Sequence, residues 1–170
     1  MVAKSRPWAL ITGANGGIGK ALVSEFVQSG YNVIATDISE TIELEHKNIY
    51  FMQLDLQKFV LDETYALTFA NEIDKITSVM GLSALVNNAA VQILNKVEKL
   101  SRAQWQTSFD VNLSAPFFMV QTFLAGLTKN NGSIVNISSI HATQTKKEFV
   151  AYATTKAALS SMTRNMVLDV

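Results

Sequence analysis

The chain has no cysteine and only two histidines and two prolines in 170 residues. Without thiols there is no disulfide, no thiolate nucleophile and no cysteine metal site. His46 and His141 lie far apart in sequence, so no histidine-based metal site is read either. The formal net charge is zero, and charged residues make up 16% of the chain. That leaves no basic stripe for nucleic acid and no polybasic segment for an anionic membrane. No apolar stretch reads as a membrane span. The opening residues Met1–Pro7 enter an apolar run that Gly13 breaks too soon for a signal peptide. These absences point to a soluble, cytoplasmic protein.

What is present is apolar. Hydrophobic residues make up 48% of the chain, which predicts a sizeable core in a single domain over residues 1–170. Short apolar runs stopped by turn residues predict strands at 8–12, 31–36, 49–54, 82–86 and 133–137. Helical spacing predicts helices over 18–28, 62–79, 113–128 and 149–170. Ser101 and Gln104 open a further helix as a capping box. Pro116 is tolerable only near a helix start, so Asn112 reads as a cap for the helix beginning at Leu113. Alternating strands and helices predict an α/β, doubly wound parallel sheet with right-handed crossovers.

The loop Thr12-Gly-Ala-Asn-Gly-Gly-Ile-Gly19 joins the first strand to the first helix. Gly13, Gly17 and Gly19 let backbone turn tightly and approach a phosphate. The helix N-terminus behind them offers free N–H groups and a positive dipole end to a pyrophosphate. A P-loop is excluded, because alanine stands at both position 14 and position 21. Asp37 ends the second strand, where a carboxylate accepts hydrogen bonds from ribose hydroxyls and repels a 2′-phosphate. No lysine or arginine follows it closely in that loop, so NAD is favoured over NADP.

Tyr152 and Lys156 stand four apart in a helical stretch and so share a face. A fixed cation beside a phenol stabilises phenolate and suits tyrosine to acid–base work. Ser139 lies thirteen residues before that tyrosine. His141, close after it, reads as a partly exposed wall residue, with substrate contact as the alternative. Phe117, Phe118, Met119 and Phe123 read as core and packing residues.

These pieces together resemble the short-chain dehydrogenase/reductase family. The matching set is Thr12-Gly13-x3-Gly17-x-Gly19, Asp37, Asp55-Leu56, Asn87-Asn88-Ala89-Ala90, Asn112, Ser139 and Tyr152-x3-Lys156, which spans nearly the whole chain. Gly13, Gly16 and Gly19 also fit the larger epimerase-like subclass; the Asn-Asn-Ala-Ala segment and the Ser–Tyr separation look like the compact dehydrogenase subclass. Ala90 stands where the family usually has glycine, which a negative φ would allow.

The resemblance implies a Rossmann fold and an oxidoreductase interconverting a secondary alcohol and a ketone. It implies that Tyr152 moves the proton, Ser139 orients the substrate oxygen, Lys156 holds the nicotinamide ribose, and Asn112 fixes a water. It implies that Gly13, Asn15, Gly17, Ile18, Gly19, Asp37, Ile38, Asp55, Leu56, Asn88, Ala89 and Ala90 line the dinucleotide, with Tyr152 and Lys156. A small carbonyl or alcohol substrate and a homo-oligomer, dimer or tetramer, are implied as partners. Family members are longer, and Leu168-Asp169-Val170 ends in a helical pattern without a capping signal. The chain is therefore expected to lack C-terminal strands and to leave an edge beside the fifth strand. Two other readings stay open: a non-catalytic dinucleotide-binding or interaction module, and an epimerase or dehydratase on the same scaffold.

Overall fold

A computed structural model describes residues 6–168 except Val79. The elements run β1 (Trp8–Thr12), α1 (Gly17–Gln28), β2 (Asn32–Asp37), β3 (Ile49–Gln53), α2 (Leu56–Leu61), α3 (Glu63–Ile76), β4 (Ala84–Asn87), α4 (Arg102–Phe109), α5 (Ala115–Lys129), β5 (Ser133–Asn136) and α6 (Val150–Met166). The five strands are parallel, in the order β3-β2-β1-β4-β5. The doubly wound sheet is as expected, and β5 is an edge strand. The expected helix ends at Val79 and at Val170 lie outside the described residues.

Adjacent strand residues serve opposite faces. Leu10, Ile34 and Leu85 stand in register and pack with Phe59, Phe69, Met119 and Phe123 on one side. Ile11, Ala35 and Val86 pack with Val23, Leu22 and Phe26 on the other. Both faces are covered, so the central strands read as unbroken apolar runs.

Two local readings change. α2 was not expected. Its six residues are too few for a visible period; Asp55 starts it by accepting Gln57 and Lys58 N–H groups. Asp62 caps α3 in the same way through Tyr65 N–H. Asn112 is not an N-cap. It sits inside a π-helical turn, Asp110–Ser114, which joins α4 to α5 without a break. Ala115 N–H reaches back to Asp110 C=O across that turn. Pro116 lacks an N–H, and the wider turn directly before it absorbs the lost bond.

The joined helix also revises the reading of apolar length. Arg102–Lys129 spans 28 residues and, among the described residues, is the one helix long and apolar enough to cross a membrane. Its Ala115, Met119, Val120, Phe123 and Leu127 are instead buried in the core of this domain.

Strand order reverses between β1 and β4. In open parallel sheets the crevice at such a switch point, beyond the C-terminal strand ends, is where ligands bind. The ends of β1 and β4 there are Thr12 and Asn87.

Candidate active site

The glycine loop leaves β1 through Gly13, whose φ of +67° favours glycine. A Cβ there would lie 2.7 Å from Ala89 Cα, so the loop is pressed against the segment after β4. Thr12 and Asn88 fasten the two together. Thr12 Oγ1 accepts N–H groups of Asn88 and Ala89, each at 3.1 Å. Asn88 Nδ2 donates to the carbonyls of Thr12 at 2.9 Å and Gly13 at 3.0 Å. At Gly19 a Cβ would fall 2.0 Å from Gly13 O, so α1 starts against the loop's own backbone. A Cβ at Gly17 would meet nothing within 4 Å. Ala90 is not among the described non-glycine residues with positive φ, so alanine fits where the family has glycine.

Beside this loop lies a cavity of about 450 Å³. Gly13, Gly17, Ile18, Gly19, Asp37, Ile38, Asp55, Leu56, Asn88, Ala89, Ala90, Tyr152 and Lys156 all line it. Of the expected site residues, Asn15, Asn112 and Ser139 do not. The volume is in the range of small-ligand clefts. Ile18 and Ile38 are 60% and 66% exposed on its wall, apolar surface open to a flat apolar group.

Asp37 is held at the mouth. One carboxylate oxygen accepts Asn15 N–H at 3.0 Å; the other accepts Ser39 N–H and O–H. The oxygen that accepts Asn15 keeps a further lone pair for a ligand hydroxyl. Asn15 Oδ1 is buried without a donor, an orphaned acceptor in the same loop.

Lys156 is 2% exposed, and its Nζ donates to Ile137 C=O at 2.7 Å. Burial lowers its ammonium from 10.5 to about 8, so it is still mainly charged at neutral pH. The ammonium stands 5.9 Å from the centre of the Tyr152 ring. Sequence reasoning misses Ile137 as its anchor, because the contribution is a backbone carbonyl and leaves no trace in residue type.

Ser139 follows β5 and caps the short turn Ile140–Ala142, its Oγ accepting His141 N–H. Among the described residues that hydroxyl donates to nothing. Ser138, its neighbour, is structural: its Oγ bonds Ser160 Oγ and Lys156 O. His141 packs its ring on Phe149 at 4.3 Å and lies 6.3 Å from the Tyr152 ring.

Asn112 is fully buried and works through Val91. Its amide accepts Val91 N–H and donates to Val91 C=O and to Thr155 Oγ1. Its side chain thus has no group turned to the cavity, and Val91 and Val111 line the wall there.

The residues present fit a dinucleotide. Open space at Gly17, an orphaned acceptor at Asn15, a poised carboxylate and two exposed isoleucines all face or adjoin one cleft beside a helix N-terminus.

A parallel sheet with its cleft at the strand-order switch, and a glycine loop beside that cleft, define a fold of the Rossmann type. Residues 7–170 match the short chain dehydrogenase family, and the chain belongs to it. An NAD-dependent glycerol dehydrogenase of Listeria innocua serovar 6a is 30% identical over 167 residues, covering 95% of this chain and 63% of that enzyme. A 3-oxoacyl-(acyl-carrier-protein) reductase of Thermotoga maritima is 33% identical over 158 residues, covering 91% of this chain and 64% of that enzyme. The chain therefore spans less than two thirds of these relatives' length. The structure of a 4-hydroxyisoleucine dehydrogenase complexed with NADH superposes with a TM-score of 0.85 at 26% identity, covering 96% of this chain and 68% of that one.

Proposed function

We propose that this chain binds NAD and interconverts a secondary alcohol and a ketone. The observation that carries the reading is a single cavity lined by the glycine loop, by Asp37 and by the Tyr152–Lys156 pair. A related dehydrogenase complexed with NADH and an NAD-dependent relative support the choice of dinucleotide.

Gly17, Gly19 and the first N–H groups of α1 would hold the pyrophosphate. Asp37 would take ribose hydroxyls, with Asn15 holding its carboxylate in place. Ile18, Ile38, Asp55 and Leu56 would enclose the adenine, and Asn88, Ala89, Ala90 and Lys156 the nicotinamide half. Bound NAD supplies the hydride acceptor. In the oxidative direction Tyr152 takes the alcohol's hydroxyl proton as the carbinol carbon gives up its hydride. Ser139 donates its free O–H to the substrate oxygen and orients it. The Lys156 ammonium favours the phenolate state. Asn112 would fix a water on the proton's way out, as the family resemblance implies.

The test is Tyr152→Phe. NAD binding by calorimetry should persist while NADH formation with an alcohol panel is lost; retained turnover would overturn the mechanism. A second reading, a dinucleotide-binding module without turnover, draws on the absence of Ser139 from the cavity wall. Tight NAD binding by the unaltered chain with no turnover on any alcohol or ketone would favour it. We further read the protein as a homo-oligomer, because Phe117 and Phe118 of α5 and Val150 of α6 are exposed. A monomer by light scattering would contradict that.

A further inference from the structure

Residues 38–48, between β2 and β3, are fastened back onto the glycine loop. Asn15 Nδ2 donates to Thr41 C=O at 2.7 Å, and Lys20 Nζ ion-pairs with Glu43. The same asparagine's N–H is bound to Asp37, which also holds Ser39. Lys20, Glu43 and Asp37 are thus tied together through residues 39–43, next to the part of the cavity lined by Gly16, Asp37 and Ile38.

Charge in this strap is one-sided. Residues 37–45 hold Asp37, Glu40, Glu43 and Glu45 and no base. From Trp8 to Glu45, Lys20 is the only lysine or arginine. It comes directly after Gly19 on the first turn of α1, its N–H bonded to Gly16 O at 2.9 Å. A lysine is a compact cation on a flexible stem, suited to meeting phosphate as a point charge. Here that cation is occupied. The hydrogen bond and charge of Lys20 hold the Glu43 carboxyl below its usual range, so the pair stays ionised at neutral pH.

We propose that Glu43 is a specificity-determining residue for the dinucleotide. By engaging Lys20 it withholds the one lysine or arginine of residues 8–45 from a 2′-phosphate. The inference rests on the dinucleotide reading above. It assigns part of the preference for NAD over NADP to a pair of exposed side chains outside the glycine loop and outside the strand end.

The experiment is calorimetric titration of the full chain with NAD and with NADP, for the unaltered protein and for Glu43→Gln, Lys20→Gln and the double variant. The readout is the ratio of the two dissociation constants. Both side chains are on the surface, so the effect is that of a solvated charge pair. Glu43→Gln should shift the ratio toward NADP by about threefold to fivefold. The shift should shrink as salt rises. In the double variant it should vanish, since the freed lysine is its cause. An unchanged ratio in Glu43→Gln, or a shift that survives loss of Lys20, overturns the proposal while NAD binding stands. If no variant, nor the unaltered chain, binds either dinucleotide, the functional reading itself fails and this inference with it.

Discussion

The side chain of Asn112 grips Val91 as a neighbouring strand would. Its Oδ1 accepts the Val91 N–H at 2.8 Å and its Nδ2 donates to the Val91 C=O at 2.9 Å. The same Nδ2 donates to Thr155 Oγ1 at 3.1 Å, and Thr155 donates to Tyr152 O at 2.8 Å. One buried amide therefore ties the segment after β4 to the helix that carries Tyr152. Asn112→Ala leaves two backbone groups and a hydroxyl without that partner. It should cost about 2–4 kcal/mol of stability, the range for several buried groups losing their bonds. Urea denaturation measures this, and an unshifted midpoint would contradict the clamp.

Lys156 gives a pH dependence of definite sign. Its ammonium is lowered by burial from 10.5 to about 8 in the folded chain. Between those values the unfolded chain holds a proton that the folded chain has lost, so this group makes stability rise with pH across that window. Below it, the cost of a buried cation is fully present. Lys156→Met removes the titration. The unaltered protein should gain on that variant by up to about 3 kcal/mol between pH 7 and pH 10. Parallel urea midpoints at the two pH values would rule the effect out.

Gly19 and Gly17 should separate folding from binding. A Cβ at Gly19 would stand 2.0 Å from a backbone oxygen, which no side-chain motion relieves. Gly19→Ala should lose about 3 kcal/mol or more. A Cβ at Gly17 meets nothing within 4 Å, and Gly17 opens α1 on the cavity wall. Gly17→Ala should keep or slightly raise the thermal midpoint while weakening NAD binding tenfold or so, about 1.4 kcal/mol. Equal effects of the two changes on both readouts would show that the loop is not divided in this way.

Asp55 serves two ends. Its Oδ1 accepts Gln57 N–H at 2.9 Å and Lys58 N–H at 3.1 Å, and its residue lines the cavity. Asp55→Ala should cost about 1 kcal/mol through the lost cap. Asp55→Asn keeps an accepting oxygen and should stay within about 0.5 kcal/mol of the unaltered protein. Thermal denaturation of the two variants decides between a cap and a mere wall residue.

The glycine loop, the five strands and the Tyr152–Lys156 pair are legible because each is written in adjacent residues. Apolar runs end at turn residues, and a four-residue spacing survives any packing. α2 is hidden because six residues make no period and its one signal, Asp55 before an apolar run, reads equally as an adenine contact. Thr12 is visible in the motif, but its role is hidden for another reason. Its hydroxyl matters through Asn88 and Ala89, which are 76 and 77 positions away. Asn112 stands out as a site residue, but its place in the backbone does not, since a proline four residues on signals a helix start as readily as a π turn. Ser139 is legible by its spacing to Tyr152, yet spacing says nothing of which wall of the cleft it joins.

The π turn has a further consequence for the long helix Arg102–Lys129. Each residue of a helix advances it by about 100°, so one additional residue in a turn rotates everything before it by that angle relative to the turns downstream. The buried Ser108, Asp110 and Asn112 and the exposed Trp105 owe their headings to this offset. Deleting one residue from 110–114 would let a plain α-helix run through. It would then swing Trp105 and the Gln106–Asp110 contact about the axis, out of phase with the sheet. A single missing residue at that point acts as a rotation of the whole upstream helix.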